Sequence, residues 1–245
     1  MSAAEVPFVP WSEFAPSFLA AWPENRNGHA EHLSMVGPTG QGKTTLALEL
    51  LKERVRLRGA SVVILATKPK DPTLSRLGWP IIRTWPPGYG KEQVIYWPHF
   101  GDVRTAATRQ RRAIEPVLAD IFADGGRTVY IDEVAYFAET LKLDRVLKHF
   151  WGQGRSQNLL MVAGTQRPVM VPRAMFSECS WFVAFRTADE DELRRVGEIG
   201  GTDSRLIREA MRTLKPHEFL VCRTRTGEMI RSKYVRARAT AAVPA

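Results

Sequence analysis

The run Gly37-Pro38-Thr39-Gly40-Gln41-Gly42-Lys43-Thr44 constrains this chain more than any other stretch. It has the spacing G-x-x-x-x-G-K-[ST], and its surroundings agree. Residues 32–36 read as a short buried strand. Residues 43–58 read as a helix with apolar Leu46, Leu50, Leu51 and Leu57, ended at Gly59. Gly37, Gly40 and Gly42 let the backbone curl until its N–H groups converge. The helix N-terminus adds the positive end of its dipole. Such a cradle suits a triphosphate, with Lys43 reaching the outer phosphates and Thr44 ligating Mg2+. Pro38, Thr39, Gln41 and the following Thr45 complete its wall. The plain alternative is a glycine-rich turn that merely starts a helix.

Two further strand ends bear on the same chemistry. Residues 128–131 form an apolar run that stops at Asp132-Glu133. Ligands in open α/β sheets sit at the C-terminal ends of the strands, so paired acids there suit a metal shell, through Asp132, and a base for attacking water, through Glu133. They could instead cap the next helix. Residues 159–164 are a second apolar run, ending Thr165-Gln166-Arg167-Pro168. Gln166 is best placed to touch a phosphate or a water, although by itself the segment reads as a turn.

The rest of the chain alternates strand and helix. Strands are expected at 61–66, 81–84, 94–97 and 181–185. Helices are expected at 103–123 (bent near Pro116 and closed by Gly125-Gly126), 143–151, 189–198 and 204–213. Residues 218–224 and 229–235 read as a terminal hairpin turning at Thr226-Gly227. The fold class is therefore α/β, a mostly parallel sheet with helices on both faces and a C-terminal β-hairpin. Residues 1–30 read as an irregular arm. Pro7, Pro10, Pro16 and Pro23 break any long helix, while Phe8, Trp11, Phe14, Phe18 and Trp22 pack onto the body or onto a neighbouring subunit. Residues 31–236 form the main domain, and 237–245 a frayed Ala-rich tail.

Composition excludes several classes. Two cysteines, Cys179 and Cys222, rule out a disulfide scaffold or a Cys-rich zinc module. No apolar run approaches the ~20 residues of a membrane span. The start lacks the pattern of a signal peptide, so a cytoplasmic location is expected. Charge is more telling: 35 basic against 26 acidic residues give a net +9, and Arg outnumbers Lys 26 to 9. A guanidinium fork binds phosphate bidentately, so the balance suits a polyanionic partner as well as it suits an ordinary solvated surface. The basic residues gather at Arg104, Arg109, Arg111 and Arg112. A second group at the hairpin comprises Arg223, Arg225, Arg231, Lys233, Arg236 and Arg238. No helix-turn-helix, zinc finger or other base-reading module is visible.

The order GPTGQGKTT, VYIDE, GRSQNLLMVAGTQRP resembles the FtsK–HerA superfamily of P-loop motor ATPases, over roughly residues 31–235. The acidic turn Ala188-Asp189-Glu190-Asp191 after the 181–185 strand also looks like that family. The resemblance implies a RecA/ASCE-like P-loop NTPase that binds ATP and Mg2+ and assembles as a pentameric or hexameric ring on double-stranded DNA. It further implies that Gln166 senses the γ-phosphate and that Arg155 is a finger reaching the next subunit's site, with Arg167 and Arg173 as runners-up. Arg155 could equally pair with a surface acid. Relatives carry an Asp-Pro-Lys-Gly-like turn where this chain has Ala66-Thr67-Lys68-Pro69-Lys70-Asp71, so the roles of Lys68 and Asp71 stay open. The chain's size favours a viral genome-packaging motor in the host cytoplasm, docking on a portal or capsid vertex, with Arg231, Lys233 and Arg236 gripping DNA phosphates. A HerA-like or plasmid-mobilisation ATPase is the alternative. A P-loop small-molecule kinase is a third reading, which would need neither Glu133 nor Gln166.

Overall fold

The computed structural model describes residues 6–22, 30–88, 92–198 and 203–235. Short apolar runs in this chain become strands buried along their whole length, because helices cover both faces of the sheet. The strands are β1 (Leu33–Val36), β2 (Val62–Leu65), β3 (Ile81–Ile82), β4 (Gln93–Tyr96), β5 (Thr128–Ile131), β6 (Leu160–Thr165), β7 (Trp181–Phe185), β8 (Glu218–Arg223) and β9 (Glu228–Lys233). They form one sheet in the order β3-β4-β2-β5-β6-β1-β7-β8-β9. Pairings from β3 through β7 are parallel, and β8 and β9 add antiparallel to β7 as the hairpin.

The helices are α1 (Trp11–Ala21), α2 (Lys43–Arg58), α3 (Pro72–Ser75), α4 (Ala106–Asp124), α5 (Asp144–Gln153), α6 (Ala174–Ser177), α7 (Glu190–Val196) and α8 (Ser204–Thr213). Alternation along each strand divides the core in two. Leu33, Met35 and Tyr130 face the cluster under α1 and α2, whereas Val129, Ile131 and Ala163 face the cluster under α4 and α5. Asp71, Asp189 and Asp203 each accept two backbone N–H bonds at the starts of α3, α7 and α8. The acidic turn near Asp189 thus serves as a helix cap.

Two local expectations need correction, and one further turn falls where no element was expected. Within the N-terminal segment residues Trp11–Ala21 are helical rather than irregular, since α1 runs through Pro16. The ring costs that helix a backbone hydrogen bond, about 3 kcal/mol. Phe14, Phe18 and Trp22, four residues apart, offset the cost by burying one stripe against the body. Trp11 completes the contact edge-to-face with Phe219, so this arm packs on its own chain. Residues Tyr136–Thr140, after the paired acids, form a π-helical turn that periodicity did not suggest. Finally, α4 starts at Ala106, because Asp102 and Thr105 make a turn just before it. The frayed tail, Arg236 and Pro23 lie outside the described residues.

Candidate functional site

The parallel register carries the C-terminal ends of β1, β5 and β6 to one edge, with β6 in the middle. The loop after β1, the acids after β5 and Gln166 after β6 therefore meet. Gly37 opens the loop at φ +148°, and a side chain there would put its Cβ 2.6 Å from Phe185 Cβ. Only glycine lets the loop leave the sheet so close to β7. Lys43 begins α2, and its ammonium folds back to donate to Gly37 O (2.5 Å) and Pro38 O (3.0 Å). Burial lowers the Lys43 pKa, with the charges of Asp132 and Glu133 opposing.

Asp132 is the hub. Its Oδ1 accepts from Thr44 Oγ1 (2.6 Å) and Tyr130 OH (2.7 Å), and its Oδ2 accepts from Lys68 Nζ (2.7 Å). Burial alone would raise its pKa, but the bonds from Lys68 and Thr44 and the Lys68 charge outweigh that and lower it. Glu133 differs. Thr165 Oγ1 donates to its Oε1 (2.7 Å) and the Gln166 backbone N–H to its Oε2 (3.0 Å), yet burial dominates and raises its pKa. Two adjacent carboxylates are thus tuned in opposite directions, one held charged beside cations and one made more basic. The Gln166 side chain accepts from Thr39 Oγ1 (2.5 Å) and ties the third strand end to the loop.

Thr39, Lys43, Thr44, Lys68, Asp132 and Gln166 line a cavity of about 230 Å3 together with Gly40, Gly42, Thr45 and Thr73. The Thr44 hydroxyl and the Asp132 carboxylate are hard oxygen donors one hydrogen bond apart. Mg2+ is commonly held by one or two such groups together with substrate phosphates, so the donor set fits the ion. A larger cavity, about 690 Å3, lies between α1 and α2. Its lining includes Glu53 and Arg56, which pair with each other.

Other expected residues lie elsewhere. Arg155 sits in the 3-10 turn Gly154–Gln157, before β6, at the sheet edge opposite Gln166. The six residues of β6 separate the two by about 20 Å, beyond the reach of a side chain. Arg155 cannot serve its own chain's cavity. Beside it, His32 is fully buried and accepts from the Met161 N–H (3.0 Å). Of the hairpin cations, Arg231 donates to Val6 O (3.0 Å), Arg223 stacks over Trp181, and Arg225 pairs with Glu31 (3.5 Å). The N-terminal segment covers the β9 edge strand through Phe8 and Val9, which turns the Arg231 guanidinium inward. Lys233 stays half-exposed, and Arg104, Arg109, Arg111 and Arg112 are exposed around α4.

Sequence reasoning did not single out Tyr130 or Thr165, and left Lys68 open. A signal existed for Thr165, a hydroxyl ending an otherwise apolar strand. Tyr130 could be found only by counting alternation from Asp132.

No protein-family model matches the chain, and no curated protein matches its sequence. Solved structures do match in fold. The DNA-packaging ATPase B204 from Sulfolobus turreted icosahedral virus superposes with a TM-score of 0.62 at 16% identity, covering 84% of this chain and 98% of that one. The genome-packaging NTPase B204 from Sulfolobus turreted icosahedral virus 2, in complex with AMPPCP, gives 0.59 at 17% identity over the same shares. VirB4 of Thermoanaerobacter pseudethanolicus gives 0.63 at 11% identity, covering 89% and 92%. The fold is that of the P-loop NTPases, as the motifs led one to expect.

Proposed function

We propose that this chain is an ATP-hydrolysing motor that moves double-stranded DNA, working as a homo-oligomeric ring in viral genome packaging. The observation that carries the reading is the convergence at one strand edge of Lys43, the Thr44–Asp132 pair and the Glu133–Gln166–Thr39 chain of hydrogen bonds. A small-molecule kinase has no need of a buried base beside a γ-phosphate position. The loop N–H groups and Lys43 hold the β- and γ-phosphates. Thr44 and Asp132 would hold Mg2+, which would offset the negative charge of the phosphates when bound. Glu133 takes the proton of a water whose oxygen bonds to the γ-phosphorus as the bond to the β–γ bridging oxygen breaks, releasing ADP. Its burial-raised basicity suits that task. Gln166, bonded to Thr39 and seated on Glu133, reads the γ-phosphate.

Arg155 lies at the opposite end of β6 from its own cavity, so any catalytic role requires a neighbouring subunit. A guanidinium supplied in trans is worth roughly 10³–10⁵ in rate and makes hydrolysis depend on assembly. Lys233 and Arg236, with Arg231 supporting the strand, are the proposed contacts to DNA phosphates. B204 is a viral genome-packaging ATPase, and this chain matches it over 98% of the length of B204, which favours packaging. A conjugative or plasmid-mobilisation motor is the second reading. It draws on the likeness to VirB4 and to the pCW3 conjugation coupling protein TcpA, of which the chain spans 60%. Docking on a portal or capsid vertex in the host cytoplasm belongs to the first reading alone.

The test is ATP turnover with and without duplex DNA at increasing salt. Stimulation that fades steeply with salt and ignores sequence supports the proposal. Turnover indifferent to DNA, or phosphate transfer to a small acceptor, contradicts it.

A further inference from the structure

Lys68 is the cation of the cavity that the reading above leaves unused. It stands after β2, in the turn where sequence gave it no role. Its backbone is fixed. The Trp97 indole donates to Lys68 O (2.8 Å), the Gln110 amide donates to Thr67 O (2.6 Å), and Asp71 anchors the start of α3. Its side chain is less confined, 48% exposed, with Nζ 2.7 Å from Asp132 Oδ2 and 3.4 Å from Asp71 Oδ2. The ammonium lines the same cavity as Lys43, Thr44 and Gln166.

The Asp132 carboxylate is the one that, with Thr44, fits Mg2+. Its Oδ1 already takes two hydroxyl donors, so a divalent ion arriving there competes directly with the ammonium on Oδ2. A dication held there would repel an ammonium strongly at such range, and the Lys68 side chain would turn to another anion. Asp71 offers it only a long contact, 3.4 Å to Oδ2, while Asp71 Oδ1 is taken by the N–H groups of Thr73 and Leu74. The remaining high anionic charge within the sweep of a lysine anchored at this point is the outer phosphate in the shared cavity. Resting on the ATPase reading, we propose that Lys68 is a second phosphate-binding lysine. It exchanges Asp132 for the γ-phosphate when Mg-ATP enters, and it stabilises the charge that gathers on the γ-oxygens during hydrolysis. Lys68 forms and breaks no covalent bond in this step. Its role is to distinguish a triphosphate from a diphosphate.

The experiment measures equilibrium binding of fluorescent ATP and ADP analogues, with Mg2+, to the full chain and to Lys68→Met and Lys68→Arg. A charge-assisted bond to the γ-phosphate predicts that Lys68→Met lowers ATP affinity on the order of tenfold while ADP affinity holds. Lys68→Arg, which keeps the cation, retains most of the preference. Turnover of Lys68→Met at saturating ATP falls on the order of a hundredfold. Unchanged ADP binding also certifies that the variant is folded. If Lys68 only braces Asp132, both affinities shift together, and that result, or no shift in either, overturns the proposal. Failure of the wild-type chain to bind ATP would instead count against the ATPase reading itself.

Discussion

Gly164 offers a stringent test of how the sheet builds the site. It is the fifth residue of β6, opposite Met35 in β1, and no chemistry attaches to it. A Cβ on Gly164 would lie 2.7 Å from the Asp132 carbonyl oxygen, inside the 3.0 Å that real contacts respect. That oxygen belongs to the main chain and has no rotamer to escape into. Gly164→Ala must therefore part the end of β5 from β6 by a few tenths of an ångström. Across that gap run the two bonds that seat Glu133, from Thr165 Oγ1 (2.7 Å) and from the Gln166 N–H (3.0 Å). Overpacking of this kind costs about 1–3 kcal/mol. Displacing a base relative to its water costs roughly 10- to 100-fold in turnover. The loop that holds the phosphates hangs from β1, so nucleotide affinity should change much less. Urea unfolding and turnover at saturating ATP measure the two effects. An unchanged midpoint together with unchanged turnover refutes the claim that this close approach aligns the acids.

Glu133→Gln should keep nucleotide bound and stop hydrolysis, since an amide takes no proton from water. Because burial raises the Glu133 pKa, folding is penalised as pH rises through the carboxylate range. The variant should then be the more stable protein at pH 7, with the advantage fading in acid, as thermal melts across pH would record. His32 works in the opposite sense. Burial, opposed by a Trp151 backbone hydrogen bond and aided by the Arg155 charge, lowers its pKa from 6.5 to about 4, so the unfolded chain takes up the proton first as pH falls. Stability should drop by up to about 3 kcal/mol between pH 6.5 and 4 from this group, and His32→Leu should flatten that part of the curve. Parallel wild-type and variant curves would remove His32 as the cause. On the proposed trans role, Arg155→Ala has an intact site and no finger, whereas Lys43→Ala has the reverse. Mixing the two inactive proteins should restore some turnover, and none at any ratio, with mixed assemblies demonstrated, eliminates the finger.

The local motifs were legible because each depends on chemistry that few residue types supply. The glycines and Lys43 stand before a helix as a phosphate cradle requires, and the strand ending Asp132-Glu133 stops where apolar burial stops. The parallel sheet followed from alternating short apolar runs and helices. What sequence hid was tertiary. Nothing local announces that α1 survives Pro16, because its compensation comes from a stripe of aromatics meeting Phe219 and the body. Nothing local turns Arg231 inward either, since its partner, Val6 O, is 225 residues away. The opposite-edge position of Arg155 needs the strand directions, and Lys68 acquires meaning only when β2 and β5 bring it to Asp132.

Triplex displacement tests the central claim most directly. The chain is loaded on duplex DNA that carries a third strand, and release of that strand is followed after ATP is added, with Glu133→Gln as the stalled control. A duplex-moving motor releases the strand with ATP, the Glu133→Gln protein leaves it in place, and a non-hydrolysable analogue does the same. Vigorous ATP turnover with the third strand still bound would contradict the account.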